Sequence, residues 1–243
     1  MGQKINPISI RIPESKQWTA RWFFAAKGGT ASAGRYPYRR FLAEDEAIRR
    51  LVTRRIGLAG IAGIVIERTS NNVRILIKAA RPGIVIGQGG KGIEELSKAL
   101  EKELKKFRAH DKDQKNVNLN VNVEELKRSE IAAPYLAQQI AWDMEKRMPF
   151  RRTVKKYLET TMQNREVKGA KITLSGRLDG AEIARRETLK QGALPLQTIR
   201  ADIDYGTATA YTTFGTVGVK VWLYKGEVFR KKEGEKPATP NAK

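Results

Sequence analysis

The sequence predicts an α+β protein made of two successive units: a three-stranded sheet with helices, then a two-layer α/β unit with a mostly antiparallel sheet. Two changes of apolar period predict it. Over residues 44–125 the pattern runs from helical to alternating, back to helical and again to alternating; after a charged seam at Glu124–Ser129, two helical stretches give way to β patterning that lasts to residue 227. The third observation is a side-chain-poor loop, Gly87-Gln-Gly-Gly90, between a short apolar segment and an amphipathic helix.

Residues 1–43 lack a period and are read as an irregular arm, rich in aromatics (Trp18, Trp22, Phe23, Phe24, Tyr36, Tyr38, Phe41) and arginine. Ile48, Leu51, Val52 and Ile56 recur at helical intervals and predict a helix over 44–56. Two β-branched runs, 61–67 and 73–78, flank Thr69-Ser-Asn-Asn72, a hairpin signal. Ile84-Val-Ile86 is a short turn before the glycine loop. From Lys91 to Arg108, Ile93, Leu96, Leu100, Leu104 and Phe107 form one stripe, with lysines among glutamates opposite. Val117, Leu119, Val121 and Val123 alternate with Asn118, Asn120 and Asn122 as a half-buried strand.

In the second unit, 126–227, a helix is predicted over 130–148, and Pro149 is suited to start a new one reaching about residue 165. Strands follow at 171–174, 183–189, 198–211 and 216–224. The basic tail, 228–243, has two prolines and no apolar cluster, a composition that predicts disorder.

Charge and residue usage narrow the chemistry. In 243 residues, 47 Lys and Arg face 26 Asp and Glu, a formal net charge of +21. Self-repulsion of that size is a liability unless an anionic polymer supplies counter-charge. With no cysteine, disulfides, thiolate catalysis and zinc ribbons are excluded. The single histidine, His110, lies in a polar stretch that reads as a solvated loop. No apolar run approaches the ~20 residues that span a bilayer, and Met1–Ile8 has no apolar core of signal-peptide length, which predicts a cytoplasmic protein.

Two constellations carry candidate RNA chemistry. The first is the loop Gly87, Gln88, Gly89 and Gly90, with Arg81 and Lys91 beside it: without Cβ atoms in the way, backbone amides can approach a phosphodiester chain. The order helix, strand, strand, helix, glycine loop, helix, strand is that of a type II KH domain, whose loop clamps about four nucleotides. A plain helix–helix turn is the alternative. Two other glycine motifs do not fit, since no acidic residue follows in the dinucleotide-binding context and Lys91 is not followed by Ser or Thr. The second is Phe150-Arg-Arg-Thr-Val-Lys-Lys156. Arg151 and Lys155 are four residues apart, as are Arg152 and Lys156, so a helix gathers four cations on one broad face with only Glu159 at pairing distance. A solvated charged face is the alternative there. Asp179, Glu182, Asp202 and Asp204 suggest a carboxylate or nuclease site, but Arg177, Arg185, Arg186 and Arg200 nearby favour ion pairing.

Several motifs together resemble bacterial small ribosomal subunit protein three. They are Met1-Gly-Gln-Lys-Ile-Asn-Pro-Ile8, Arg81-Pro-Gly-Ile-Val-Ile-Gly87, Phe150-Arg-Arg152, Ser175-Gly-Arg-Leu-Asp-Gly-Ala-Glu-Ile-Ala-Arg185, Leu196-Gln-Thr-Ile-Arg-Ala-Asp-Ile-Asp-Tyr205 and Gly218-Val-Lys-Val-Trp222, in order across residues 2–227. The resemblance implies a non-catalytic protein of the subunit head without cofactor, metal, membrane or small-molecule substrate. It implies binding to ribosomal RNA, contact with head proteins ten and fourteen, and a place along the channel through which mRNA enters. It further implies that Arg151, Arg152 and Lys155 help unwind mRNA. The arm departs from the family: Ile8-Ser-Ile-Arg-Ile-Pro13 stands where a Gly-Phe-Arg-Leu-Gly-like segment is usual. A free KH-type RNA regulator shares the loop but offers no reason for the second unit.

Overall fold

Two four-stranded sheets, each covered by helices and each with its own apolar core, make up the α+β fold. A computed structural model describes residues 4–12, 14–22, 31–69, 72–108, 118–127 and 131–229, with the backbone alone at 31–37. His110, Val117, Glu130, the hairpin tip at 70–71 and the tail from residue 230 lie outside the described residues.

The first sheet has the order β1-β2-β3-β4, formed by Ala20–Arg21, Ile61–Arg68, Asn72–Ala79 and Asn118–Glu125. β2 and β3 are the predicted antiparallel hairpin, and Thr69 N donates to Asn72 O at 2.9 Å across its turn. β4 runs parallel to β3, so the chain must cross over between them, and α2 (Pro82–Ile86) and α3 (Lys91–Arg108) supply the crossover. One face is sealed by α3 and α1 (Ala31–Ile56) through Val52, Ile66, Ile75, Ile77 and Leu100, all fully buried. Burial of the predicted α3 stripe is strongest in the middle: Leu96, Leu100 and Leu104 are buried, whereas Phe107 at its end is 38% exposed.

Two features of the arm depart from the sequence reading. α1 starts at Ala31 rather than Glu44, running through Gly34 and Pro37, so the arm is not irregular to residue 43. Intrinsic preference is a weak prior, and contact overrides it: Trp22 stacks near Tyr38 and Phe41, with ring centroids 5.5 and 5.7 Å away, and those rings sit one helical turn apart. The sheet also gains β1, which pairs in parallel with Ile66 and Glu67 of β2 and makes four strands where three are predicted. Two residues are too few to leave an alternating signal.

The second sheet has the order β6-β5-β8-β7 and is antiparallel throughout: Gly169–Gly176 (β5), Arg185–Gly192 (β6), Ala201–Thr212 (β7) and Gly215–Glu227 (β8). α4 (Ala133–Glu145) and α5 (Phe150–Met162) cover one face, burying Ile140, Phe150, Ile172, Leu174 and Leu223. Both helices are shorter than predicted, and β6 begins at Arg185, the partner of Gly176 at the end of β5, leaving Ile183 83% exposed. Pro149 does cap α5, and Tyr157 Oη donates to Asp143 Oδ2 at 2.8 Å between the two helices.

The two sheets are tied together in two places. α4 lies against the start of β2, where Gln138 Nε2 donates to Ile61 O at 3.2 Å. Gly60 has φ +70°, and a Cβ there would lie 2.5 Å from the Tyr135 ring, so this junction requires glycine. The arm is the second tie. Arg11 is fully buried and donates to the carbonyls of Pro7, Leu196, Thr198 and Ala201 at 2.8–2.9 Å, fastening the arm to the second sheet before it joins the first as β1. Burial lowers its pKa and the charge of Asp202 opposes that shift, while the four carbonyls take four of the five guanidinium donors.

Candidate nucleic-acid interface

The glycine loop is built by two helices that nearly meet. Pro82 starts α2, whose last turn closes when Gly87 N donates to Gly83 O at 2.9 Å. A single 3-10 turn, Gln88–Gly90, leads into α3. Gly87, Gly89 and Gly90 have φ of +69°, +62° and +81°, a region that only glycine enters without strain. Their surroundings differ. A Cβ on Gly87 would lie 3.0 Å from Gly92 N, and one on Gly92 would lie 2.7 Å from Val85 O, so those two glycines let the helices pack. Around Gly89 and Gly90 nothing lies within 4 Å of an added Cβ. Packing therefore explains half of the glycines, and the open backbone at Gly89 and Gly90 is available to a ligand. Arg81, Gln88 and Lys91 are exposed, and the apolar Ile84 and Ile86, 50% and 39% exposed, lie beside the loop.

The basic face of α5 forms as the spacing predicts, with Thr153, Val154 and Leu158 buried and Arg151, Arg152, Lys155 and Lys156 exposed. Phe150 anchors its start; it is buried, and the guanidiniums of Arg151 and Arg185 each lie 5.6 Å from its ring centre. The charge balance is not the one the helix alone suggests. Arg151 Nη2 lies 3.2 Å from Glu187 Oε1 on β6, and Arg185 Nε lies 3.6 Å from the same oxygen. Lys155 reaches Glu159 at 3.9 Å. Exposed pairs of this kind contribute about 0–1 kcal/mol and exchange readily for phosphate. Arg152 and Lys156 form no ion pair among the described residues, so they are the uncompensated half of the face. Sequence reasoning missed Glu187 and Arg185 as members of this cluster, since nothing in the chain marks a strand residue more than thirty positions away as the neighbour of a helix.

The acidic residues do not converge. Asp202 Oδ1 pairs with Lys16 Nζ of the arm at 2.6 Å, rather than with one of the predicted arginines. Asp204 Oδ2 accepts from Ala133 N at 2.8 Å and so caps α4, where a carboxylate complements the helix dipole. Among the described residues no group of three or more His, Asp or Glu side chains is placed to hold a metal, and no helix is long and apolar enough to cross a membrane.

Comparison with known proteins shows the family of both units. Residues 47–131 match the KH domain family, and residues 140–223 match the family described as ribosomal protein S3, C-terminal domain. Over 233 residues the chain is 46% identical to the small ribosomal subunit protein uS3 of Clostridium novyi, covering 96% of both chains. The chain belongs to the uS3 family. Similarity to uS3 of Desulforamulus reducens is 44% over 238 residues, with 98% and 97% of the two chains covered, and to that of a Synechococcus strain 42% over 240 residues, with 99% and 91% covered. These relatives are ribosomal proteins, not enzymes, and the uS3-family chain covers 91–97% of their length. Its glycine loop falls inside the KH match and its α5 face inside the C-terminal match.

Proposed function

We propose that this chain is a structural, RNA-binding component of the small ribosomal subunit head in the cytoplasm. In this reading Arg81, Gly87, Gln88, Gly89, Gly90 and Lys91 form one RNA contact. Arg151, Arg152, Lys155 and Lys156 line the channel through which mRNA enters and help open its structure. Ribosomal RNA, mRNA and head proteins ten and fourteen are the partners. The proposed organisation is an arm over 1–43, a KH unit over 44–125, a C-terminal α/β unit over 126–227 and a basic tail over 228–243. The observation that carries the reading is the uS3 likeness along the whole chain, since it explains the second unit as well as the loop.

Co-sedimentation tests it. The tagged chain, expressed in a bacterium, is expected to stay with small subunits after a high-salt wash; recovery in the subunit-free supernatant would favour a free RNA regulator instead.

The loop has its own test in the purified full-length chain. Gln88→Asp with Gly89→Asp adds two negative charges where phosphates would approach, and is expected to weaken binding to a single-stranded RNA 20-mer about tenfold at low salt. An added Cβ at Gly89 meets nothing within 4 Å, but φ +62° makes aspartate there cost about 1–2 kcal/mol of backbone strain, so thermal melting of the variant accompanies the titration. Unchanged affinity in a folded variant would remove the loop from the RNA contacts.

A further inference from the structure

On the face of the second sheet turned away from α4 and α5, three adjacent rows carry cations in strand-to-strand contact and no Asp or Glu. Register fixes the rows. One runs Lys190, Lys171, Trp222, Tyr205 across β6, β5, β8 and β7; the next runs Thr188, Thr173, Lys220, Thr207; the third runs Arg186, Ser175, Gly218, Thr209. None of these outward positions is Asp or Glu. Lys190 and Lys171 stand directly opposite one another, where Cβ atoms lie ~4.5–5.5 Å apart and like charges destabilise a sheet. Lys171 has no carboxylate partner among the described residues. Its Nζ lies instead 5.2 Å from the Trp222 ring centre, and the tilted Tyr205 ring is centred 5.3 Å from that of Trp222.

We infer that this sheet face is a further RNA-binding surface, with Lys171, Lys190, Lys220 and Arg186 receiving phosphates and Trp222 and Tyr205 presenting ring surface to the sugar–base side. The inference rests on the reading of the chain as an RNA-binding protein and adds a surface separate from the glycine loop and α5.

Three arguments converge. Among the described residues none of these four cations forms an ion pair, unlike Arg151 and Lys155 of α5, which pair with Glu187 and Glu159. Burial, followed by the charges of Lys4, Lys190 and Arg186, lowers the pKa of Lys171, which is what crowded cations awaiting a counter-charge do. The surface is also bounded rather than covered: Leu194, Leu196 and the arm around Arg11 close over Ala201, Ile203 and Tyr224 at one end, and the rows beyond remain accessible, with Arg186, Thr188, Lys190, Lys220, Thr207 and Thr209 all exposed. Lysine, threonine and half-buried aromatics on a flat sheet are a chemistry suited to a polyanion with π-faces. An apolar protein partner would find little there to bury.

The test uses the full-length chain, a fluorescent uridine 20-mer and an amine-acetylating reagent. In the unmodified sequence, RNA is expected to protect Lys171, Lys190 and Lys220 from acetylation, while a polyglutamate peptide at equal charge protects them less. Replacing the three lysines by glutamine should lower the slope of log affinity against log salt by about 2, at roughly 0.7 per lost contact to a single strand. Arginine at the three positions should restore it. The melting temperature of the glutamine variant is expected to hold or rise, because opposed like charges have been removed. An unchanged slope with no protection overturns the inference, and so does stronger protection by polyglutamate, which would mark a face for an acidic protein. These outcomes leave the broader reading intact as long as the unmodified chain binds the 20-mer; a chain that binds no RNA at all would defeat both.

Discussion

Arg68→Ala is expected to destabilise the chain by about 3–5 kcal/mol, among the largest costs of any single truncation in the first unit. Arg68 reaches from β2 into α1, where its Nη1 lies 2.6 Å from Glu44 Oε2 and its Nε 2.7 Å from Asp45 Oδ1, with Nη2 also donating to that carboxylate. All three side chains are 5% exposed or less. The value of the pair lies less in its attraction than in what its loss leaves behind: two carboxylates in a water-poor seam without their shared guanidinium. Neighbours blunt the effect. Trp22 Nε1 still donates to Asp45 Oδ2 at 2.8 Å, and Arg40 Nε remains 3.7 Å from Glu44 Oε1, which keeps the cost from exceeding that range. Arg68 also lies 5.3 Å from the Phe41 ring centre, so the truncation loosens the platform on which Trp22 and β1 sit. Equilibrium urea unfolding measures the loss, and a value under ~1 kcal/mol would show that the seam is wetter than its burial indicates. Arg68→Lys should recover only part, since an ammonium cannot bridge both carboxylates as the planar fork does.

What the sequence conveyed and what it withheld follow from range. Local periodicity announced β2, β3, α3, α5 and the four strands of the second sheet, because each element shows its own apolar face. The glycine loop was equally visible, since its conformational demand is written in consecutive residues. Contacts between distant segments left no such mark. Nothing in Ile8-Ser-Ile-Arg-Ile-Pro13 identifies Arg11 as the strut that binds four carbonyls, and a lone arginine in an arm reads as a solvated charge. Arg68 with Glu44 and Asp45 was hidden for the same reason. The early start of α1 was hidden because Gly34 and Pro37 argue locally against a helix, and only the docking of Trp22 on Tyr38 and Phe41 outweighs them. At the candidate interface the residue types were legible and their pairing was not: one glutamate on β6 pairs with Arg151 and not with Arg152, though the two are adjacent in the chain.

That difference sharpens the expected outcome at α5. Arg151→Ala, Arg152→Ala and Lys155→Ala together should leave stability within about 0.5 kcal/mol, because all three side chains are exposed and none fills the core. Their combined loss should lower the salt slope for single-stranded RNA by about 2 and cut affinity by at least tenfold at moderate salt. Subunits carrying the triple variant are expected to assemble and to translate unstructured messages normally, while slowing at a stable hairpin. Passage through the hairpin at an unchanged rate, with subunits fully occupied by the variant, would sink the unwinding role. The single substitutions should not be equal. Arg152 has no acidic partner among the described residues and offers its whole charge, whereas Arg151 must exchange Glu187 for phosphate. Arg152→Ala should therefore cost more RNA affinity than Arg151→Ala. Removing the competing carboxylate with Glu187→Gln should raise affinity above that of the unmodified chain, by an amount that disappears once Arg151 and Arg185 are also alanine. A structural role for the Arg151–Glu187 bridge predicts the opposite sign, with Glu187→Gln weakening binding along with the fold. The direction of that one change, measured by RNA titration beside thermal melting, separates a bridge that holds α5 to β6 from a carboxylate that tunes how much positive charge α5 presents.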